Sequence, residues 1–216
     1  MSDTIYFVRH GQTEWNVQRR LQGRGDSPLT PLGRTQAQAH RRWLQADPPE
    51  AVIASPLGRV QATVALATED LGLPVTFDEA LAERCMGEYE GWSLKEIADK
   101  APELAAQKNS DPWAWLPPGG EDYDQLFART APLVQRLKEH PATSLLVVSH
   151  GTIVRPILAQ FLALDRDITL RISSPNDLAY RMRRTDEHPA GWTIEHRAEE
   201  QWQPGLRLLP PPLSGI

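Results

Sequence analysis

Cysteine is nearly absent: Cys85 stands alone in 216 residues. No intrachain disulfide can form and no thiolate metal cluster can assemble, so nothing in cysteine usage favours an oxidising compartment. An excess of positive charge is missing too, since 23 Lys and Arg face 28 Asp and Glu, a formal net charge of −5. Without a broad positive field the chain is a poor partner for nucleic acid or an anionic membrane surface. The longest aliphatic runs, 145–148 and an interrupted stretch over 153–158, fall far short of a membrane span. The opening residues Met1-Ser2-Asp3-Thr4 lack a basic region followed by an apolar one, so no secretory signal is read there and a cytoplasmic location is expected. Internal repeats and blocks of like charge are lacking as well. What is present is a chain that is 40% hydrophobic and of single-domain length.

Three short apolar runs, 5–8, 51–54 and 145–148, each end in polar turn residues and are each followed by a helical pattern. They read as buried parallel strands in βα units. Thr30-Pro31 sets an N-cap and a first-turn proline ahead of a helix expected to reach Leu44, before Pro48-Pro49. Ser55-Pro56 repeats that device before an apolar stripe at Leu57, Val60, Val64 and Leu71. A 3.6-residue period from Tyr123 to Leu137 predicts a helix over 121–139, and a more apolar helix is expected over 152–164. Residues 75–77, 179–183 and 192–196 are weaker strand candidates, the last two as a late antiparallel pair. The alternation predicts an α/β fold: a three-layer α/β/α sandwich on a mostly parallel sheet with a late antiparallel strand. One domain is expected over 1–203. The Pro/Trp-rich stretch 111–118 reads as a loop, and 204–216 as a Pro-rich tail, extended and polyproline-like at 210–212.

The most informative feature is a near-duplicate. Ile5-Tyr6-Phe7-Val8-Arg9-His10-Gly11 and Leu145-Leu146-Val147-Val148-Ser149-His150-Gly151 both place His-Gly at the end of an apolar run. Ligands of open α/β sheets bind outside the carboxyl ends of strands, so two such strands side by side would bring His10 and His150 to one crevice. The adjoining glycines let backbone approach a ligand closely. Arg59 falls in the first turn of a helix, where its charge opposes the helix dipole, and a bound anion would remove that conflict. Arg9, Arg59, two imidazoles and the amides at a helix start, near Gly151 and Thr152, therefore suggest a phosphate clamp, because guanidinium forks match phosphate oxygens. His40, His140, His188 and His196 have no comparable setting and read as surface or turn residues. Two arginines at the crevice would repel a divalent cation, and neither His-x-His nor His-x-x-x-His occurs, so no metal site is expected.

The run Arg9-His10-Gly11-Gln12-Thr13-Glu14-Trp15-Asn16 resembles the signature of the histidine phosphatase superfamily, the phosphoglycerate mutase-like group. The likeness continues in order through 21–30 with Gly33 and Ala37, 55–59, Leu81-Ala82-Glu83 with Gly87 and Glu90-Gly91, 118–121 and 148–151, over roughly the first 160 residues. It implies that His10 takes the phosphoryl group as a phosphohistidine, that Arg9, Arg59 and His150 surround the nonbridging oxygens, and that Glu83 is the proton donor. Asn16 and the Gln22-Gly23 turn would add neutral donors. Residues 85–121 would form a lid within the domain, with Met86, Tyr89 and Trp92 as candidate pocket walls and Trp113 and Trp115 packing its Pro-rich loop. Glu121 reads as a helix-start carboxylate.

Two activities share this clamp. In a phosphomonoesterase water takes the phosphoryl group from His10; in a cofactor-dependent phosphoglycerate mutase it returns to another hydroxyl of the substrate. Mutases of the group carry a Phe-Thr-Gly-Trp-type turn and paired arginines in the insertion. Here the turn is Leu21-Gln22-Gly23-Arg24, and the only cations between Trp92 and Gly120 are Lys95, Lys100 and Lys108. The expectation is a phosphatase without a cofactor, acting on a small phosphorylated substrate and releasing inorganic phosphate. An inactive phosphate-binding module is the third reading, and the chain leaves a homo-oligomer open.

Overall fold

A computed structural model describes residues 2–198 and 200–210. The three apolar runs become β1 (Thr4–Arg9), β2 (Ala51–Ala54) and, after β3 (Val75–Phe77), β4 (Ser144–Ser149). With β5 (Ala179–Arg184), β6 (Trp192–Ala198) and β7 (Gln201–Pro204) they form one sheet in the order β3-β2-β4-β1-β5-β6-β7. The first four strands in that order are parallel, and β5, β6 and β7 add to β1 antiparallel.

Alternation along the strands feeds two cores, as period-2 geometry requires. Ile5, Phe7, Leu145 and Val147 face α6 (Tyr123–Glu139) and α7 (Gly151–Leu162), where Leu126, Leu133, Ile157 and Phe161 meet them. Tyr6, Val8, Leu146 and Val148 face the opposite side, against Trp43 and Leu44 of α2 (Pro31–Ala46) and Val60 and Val64 of α3 (Gly58–Ala67). The sandwich is thus three-layered. Short helices α1 (Glu14–Val17) and α8 (Arg166–Arg171) lie in connections, and α4 (Leu94–Lys100) and α5 (Pro102–Ser110) belong to the segment read as a lid. That segment has a core of its own, built from Met86, Tyr89, Ile97 and Trp115.

Helix starts depart from expectation where a side chain has another partner. Thr30 caps α2 as anticipated, its Oγ1 accepting from the Gly33 amide at 3.0 Å, a contact worth about 1 kcal/mol. Ser55 does not cap α3: the helix begins at Gly58, and the Ser55 hydroxyl turns to His150. α6 starts at Tyr123 behind an Asp122 capping box, while Glu121 pairs with Arg129 at 2.8 Å. The late antiparallel pair gains β7 as a third strand, so the tail boundary at 204 falls on its last residue. Residues 207–209 then run back along 171–173, where Ser173 N donates to Arg207 O and Leu209 N to Arg171 O. Pro211 and Pro212, with the rest of 211–216, lie outside the described residues.

Candidate active site

Register sets the site. Val148 pairs with both Val8 and Ala54, so β1, β2 and β4 end level, and the chain leaves them through His10, Ser55 and His150. The His10 amide donates to Ser149 O and the Ser55 amide to Val148 O, each at 3.0 Å. This brings the two imidazoles together, with ring centroids 5.2 Å apart and planes inclined by 63°. Both rings are buried.

His10 has its hydrogen-bond roles assigned by its partners. A carbonyl only accepts, so Nδ1–H donates to Gly11 O at 2.8 Å and Nε2 is left with its lone pair, toward which Arg59 Nε points at 3.3 Å. Burial, followed by the charges of Arg9 and Arg59, pushes the His10 imidazole well below its ordinary range, so the ring is neutral. A neutral imidazole with an unprotonated Nε2 can act as a nucleophile once the Arg59 donor turns aside. His150 is held by its other nitrogen. Its Nε2 meets Ser55 Oγ at 2.7 Å, and that oxygen also accepts from the Leu57 amide at 3.3 Å; with the Ser55 proton directed to Nε2, the ring proton sits on Nδ1. Nδ1 is buried and has no protein partner among the described residues. Burial, then Arg59, His10 and Arg9, lowers the pKa of His150 as well.

Arg59 is 2% exposed, and its guanidinium is held by the loop before α2. Nη1 donates to Gly25 O at 2.7 Å and to Asp26 Oδ1 at 3.1 Å, and Nη2 to Gly23 O at 2.9 Å. Asp26 also accepts from the Arg59 amide at 3.2 Å. The anion that relieves the charge at this helix start is therefore a carboxylate of the protein itself. Glu90 shapes the same loop, accepting from the Arg24 and Gly25 amides at 2.8 Å and from Met86 N at 3.2 Å. Gly23, at φ +52°, leaves room for it: a Cβ there would lie 2.3 Å from Glu90 Oε1. Arg9 donates through Nη1 to Ser174 O at 2.6 Å, and its buried Nε has no partner among the described residues. Burial works against the charge of Arg9, while the neighbouring Glu83 carboxylate supports it. Gly151 lies flush against this guanidinium, where a Cβ would sit 3.1 Å from Arg9 Cζ.

Glu83, 9% exposed, is fixed at the start of α7. Its Oε1 accepts from the Arg84 amide at 2.8 Å and the Ile153 amide at 3.1 Å, and Oε2 from the Thr152 amide at 3.1 Å. The Thr152 amide is thus engaged by Glu83. Asn16 and Gln22 also serve the loop: Asn16 Oδ1 accepts from Thr13 N in the α1 capping box, and Gln22 Nε2 donates to Thr13 Oγ1 at 2.7 Å. Met86 and Tyr89 pack in the core of the segment read as a lid, and the partly buried Trp92 lies on Tyr89 beneath Lys100. Trp113 and Trp115 are buried packing residues. His40, expected at the surface, is buried on α2, where its Nδ1 accepts from Trp43 Nε1 at 3.3 Å. Its place in the stripe Gly33, Ala37, His40, Leu44 is the sequence signal for that burial.

Among the described residues no three His, Cys, Asp or Glu side chains converge as metal ligands, and no helix is long and apolar enough to cross a membrane. Fold and site together define an α/β protein with an imidazole and guanidinium pocket at level parallel strand ends. The chain belongs to the histidine phosphatase superfamily (branch 1), whose family model matches residues 5–198. It is 31% identical over 196 residues to the "Probable phosphoglycerate mutase GpmB" of Salmonella paratyphi C, covering 88% of this chain and 90% of that protein. A solved mycobacterial glucosyl-3-phosphoglycerate phosphatase, crystallised with VO3, superimposes with a TM-score of 0.75 at 30% identity over 84% of this chain and 92% of that one. The α-ribazole phosphatase of Shigella flexneri shares the fold, with a TM-score of 0.80 at 24% identity over 86% and 92%.

Proposed function

We propose that the protein is a phosphomonoesterase that works without a metal, through a phosphohistidine on His10. The observation that carries this reading is the neutral His10 with its Nε2 lone pair turned to Arg59 Nε, set among Arg9, Arg59, His150 and Glu83. As Arg59 Nε–H turns from Nε2 to a phosphoryl oxygen, Nε2 attacks phosphorus in line with the leaving oxygen. The N–P bond forms, the P–O bond breaks, and Glu83 relays the proton of the substrate monoanion to the departing alkoxide. The Nδ1 proton stays on the ring, held by Gly11 O. Water then attacks the phosphohistidine, Glu83 takes a proton from it, and phosphate leaves as Nε2 recovers its lone pair. Arg9, Arg59 and the Nδ1–H of His150 donate to nonbridging oxygens, which is where positioning and charge stabilisation matter most in this chemistry. Two guanidinium groups do here what a divalent cation does in metal-dependent phosphatases.

The mutase alternative rests on the name of the 31% identical relative. It needs cations beyond the clamp to hold a second anionic group of the substrate. Those of the lid have other partners: Lys95 pairs with Asp99, Lys100 and Lys108 lie over Trp92 and Trp115, and Arg84 donates to the Glu121 and Trp115 carbonyls. This supports hydrolysis of a small phosphorylated metabolite. The test is release of phosphate from an aryl phosphate in the presence of chelator, beside an assay of 2- and 3-phosphoglycerate interconversion. Turnover unaffected by chelator, with an acid-labile, base-stable phosphoryl label, is expected. Efficient interconversion dependent on a bisphosphorylated primer would establish the mutase instead.

A further inference from the structure

The connection from α8 to β5 makes two contacts with adjacent residues at the end of β1. Asn176 Nδ2 donates to the His10 carbonyl at 2.8 Å, and Ser174 O accepts from Arg9 Nη1. The peptide between His10 and Gly11 is thereby held from both sides, because the Gly11 amide donates to Thr63 Oγ1 at 3.1 Å. That peptide carries the backbone on to Gly11 O, the acceptor that fixes His10 Nδ1 and so the direction of Nε2. We propose that Asn176 is a positioning residue for the nucleophile and that the stretch 207–209 holds it in place. The proposal rests on the reading of His10 given above.

The support for the connection comes from the far end of the described chain. Ser173 N donates to Arg207 O at 2.8 Å, Leu209 N donates to Arg171 O at 2.7 Å, and Arg171 Nε returns a bond to Leu209 O at 3.0 Å. From β5, the buried Tyr180 hydroxyl donates to Ser173 O at 2.5 Å and reaches Arg207 O at 3.3 Å. Residues 171–173 are thus gripped by 207–209 on one side and by Tyr180 on the other, three residues before Asn176. A side chain placed this way acts on geometry through the His10 carbonyl, and its loss frees the 10–11 peptide to rotate. Small misplacements of a reacting atom cost rate steeply while leaving ground-state binding nearly intact.

The experiment is steady-state and single-turnover kinetics on an aryl phosphate for Asn176→Ala, Asn176→Asp, Tyr180→Phe and His10→Ala, with thermal midpoints measured alongside. Asn176→Ala is expected to lower kcat and the rate of phosphoenzyme formation on the order of 10- to 100-fold, with KM within about twofold. The isosteric Asn176→Asp, which places an oxygen acceptor against the His10 carbonyl, should lose at least as much and carries the test if the alanine variant does not fold. Tyr180→Phe should move kcat the same way by about threefold, the scale of one hydrogen bond. Folded Asn176 variants with unchanged kcat, or with KM rising in step with the loss of kcat, overturn the positioning role. Phosphoenzyme still formed by His10→Ala overturns the nucleophile reading itself, whatever Asn176 does, so the two failures are distinguishable.

Discussion

His10 and His150 leave neighbouring strands from nearly the same sequence and carry the ring proton on the same nitrogen, yet the protein holds His10 by Nδ1 and His150 by Nε2. His10 gives its Nδ1 proton to the next carbonyl of its own chain and keeps Nε2 as an electron pair facing Arg59. His150 has Nε2 tied to Ser55, which leaves Nδ1–H as a buried donor without a protein partner among the described residues. One ring therefore presents an electron pair to the site and the other a proton. The His-Gly motif secures the location and, through the Gly11 carbonyl, the proton of His10; His150 is oriented by Ser55, which follows β2 on the far side of β4.

The largest effects should come from the rings themselves, and they should differ in kind. His10→Ala is expected to lower turnover on the order of 10⁴-fold or more and to abolish the phosphoryl label, because no other group replaces the nucleophile. His150→Ala is expected to cost about 10²- to 10³-fold, the scale of one transition-state donor, while a label still forms slowly on His10. Mass-spectrometric mapping of the label in the His150 variant is the critical measurement. Phosphate found on His150 in the native protein would reverse the assignment.

A smaller change tests what makes the rings different. Ser55→Ala leaves both imidazoles in place and removes the contact at His150 Nε2, so either nitrogen of that ring can then carry the proton. Turnover should fall roughly 2- to 10-fold, with KM for the aryl phosphate little affected. Loss as severe as that in His150→Ala would mean that Ser55 itself touches the reacting group.

These distinctions show which parts of the site were readable in sequence. The strands, the Thr30 cap and the paired His-Gly ends are local signals, written in periodicity or in adjacent residues, and the register of β1 and β4 then brings the histidines together. The partners that assign roles are separated in the chain: Asp26 and Arg59 by 33 residues, Glu83 and Thr152 by 69, Ser55 and His150 by 95, Asn176 and His10 by 166. Nothing in a local pattern relates such pairs. Ser55 in particular looked like a helix cap because Ser-Pro is a helix-start device, and only the neighbouring strand end redirects its hydroxyl. β7 was missed for a related reason, since its four residues acquire strand character by pairing with β6 at the sheet edge. The packing of lid residues Met86 and Tyr89 with Ile97 and Trp115 is likewise not written locally, because a large apolar side chain near a site reads equally as wall or as core.

The last difference concerns stability rather than turnover. His10 and His150 are kept neutral by burial together with arginine charge, and in a third buried imidazole, His40, burial is again the largest cause, opposed by Asp177 and the Asn176 backbone and aided by Arg197. His40 is 4% exposed, lies apart from the clamp, and burial is the main cause that brings its pKa down to about 4. A histidine whose folded pKa lies below its unfolded value binds fewer protons when folded. Its contribution is therefore complete above the unfolded pKa of 6.5 and is lost as pH falls toward 4, because the unfolded chain takes up the proton first. Between pH 7 and pH 5 His40 alone should cost about 2 kcal/mol. His40→Gln, whose side-chain oxygen can still accept from Trp43 Nε1, should leave turnover at pH 7 unchanged and flatten the acid limb of urea-unfolding stability by about that amount. His10 and His150 remain in that variant, so a residual decline below pH 6.5 is expected and measures the cost of holding these two rings neutral. An acid limb as steep in His40→Gln as in the native protein would assign the whole decline to the clamp, and would mean that arginine charge outweighs burial in keeping these rings unprotonated.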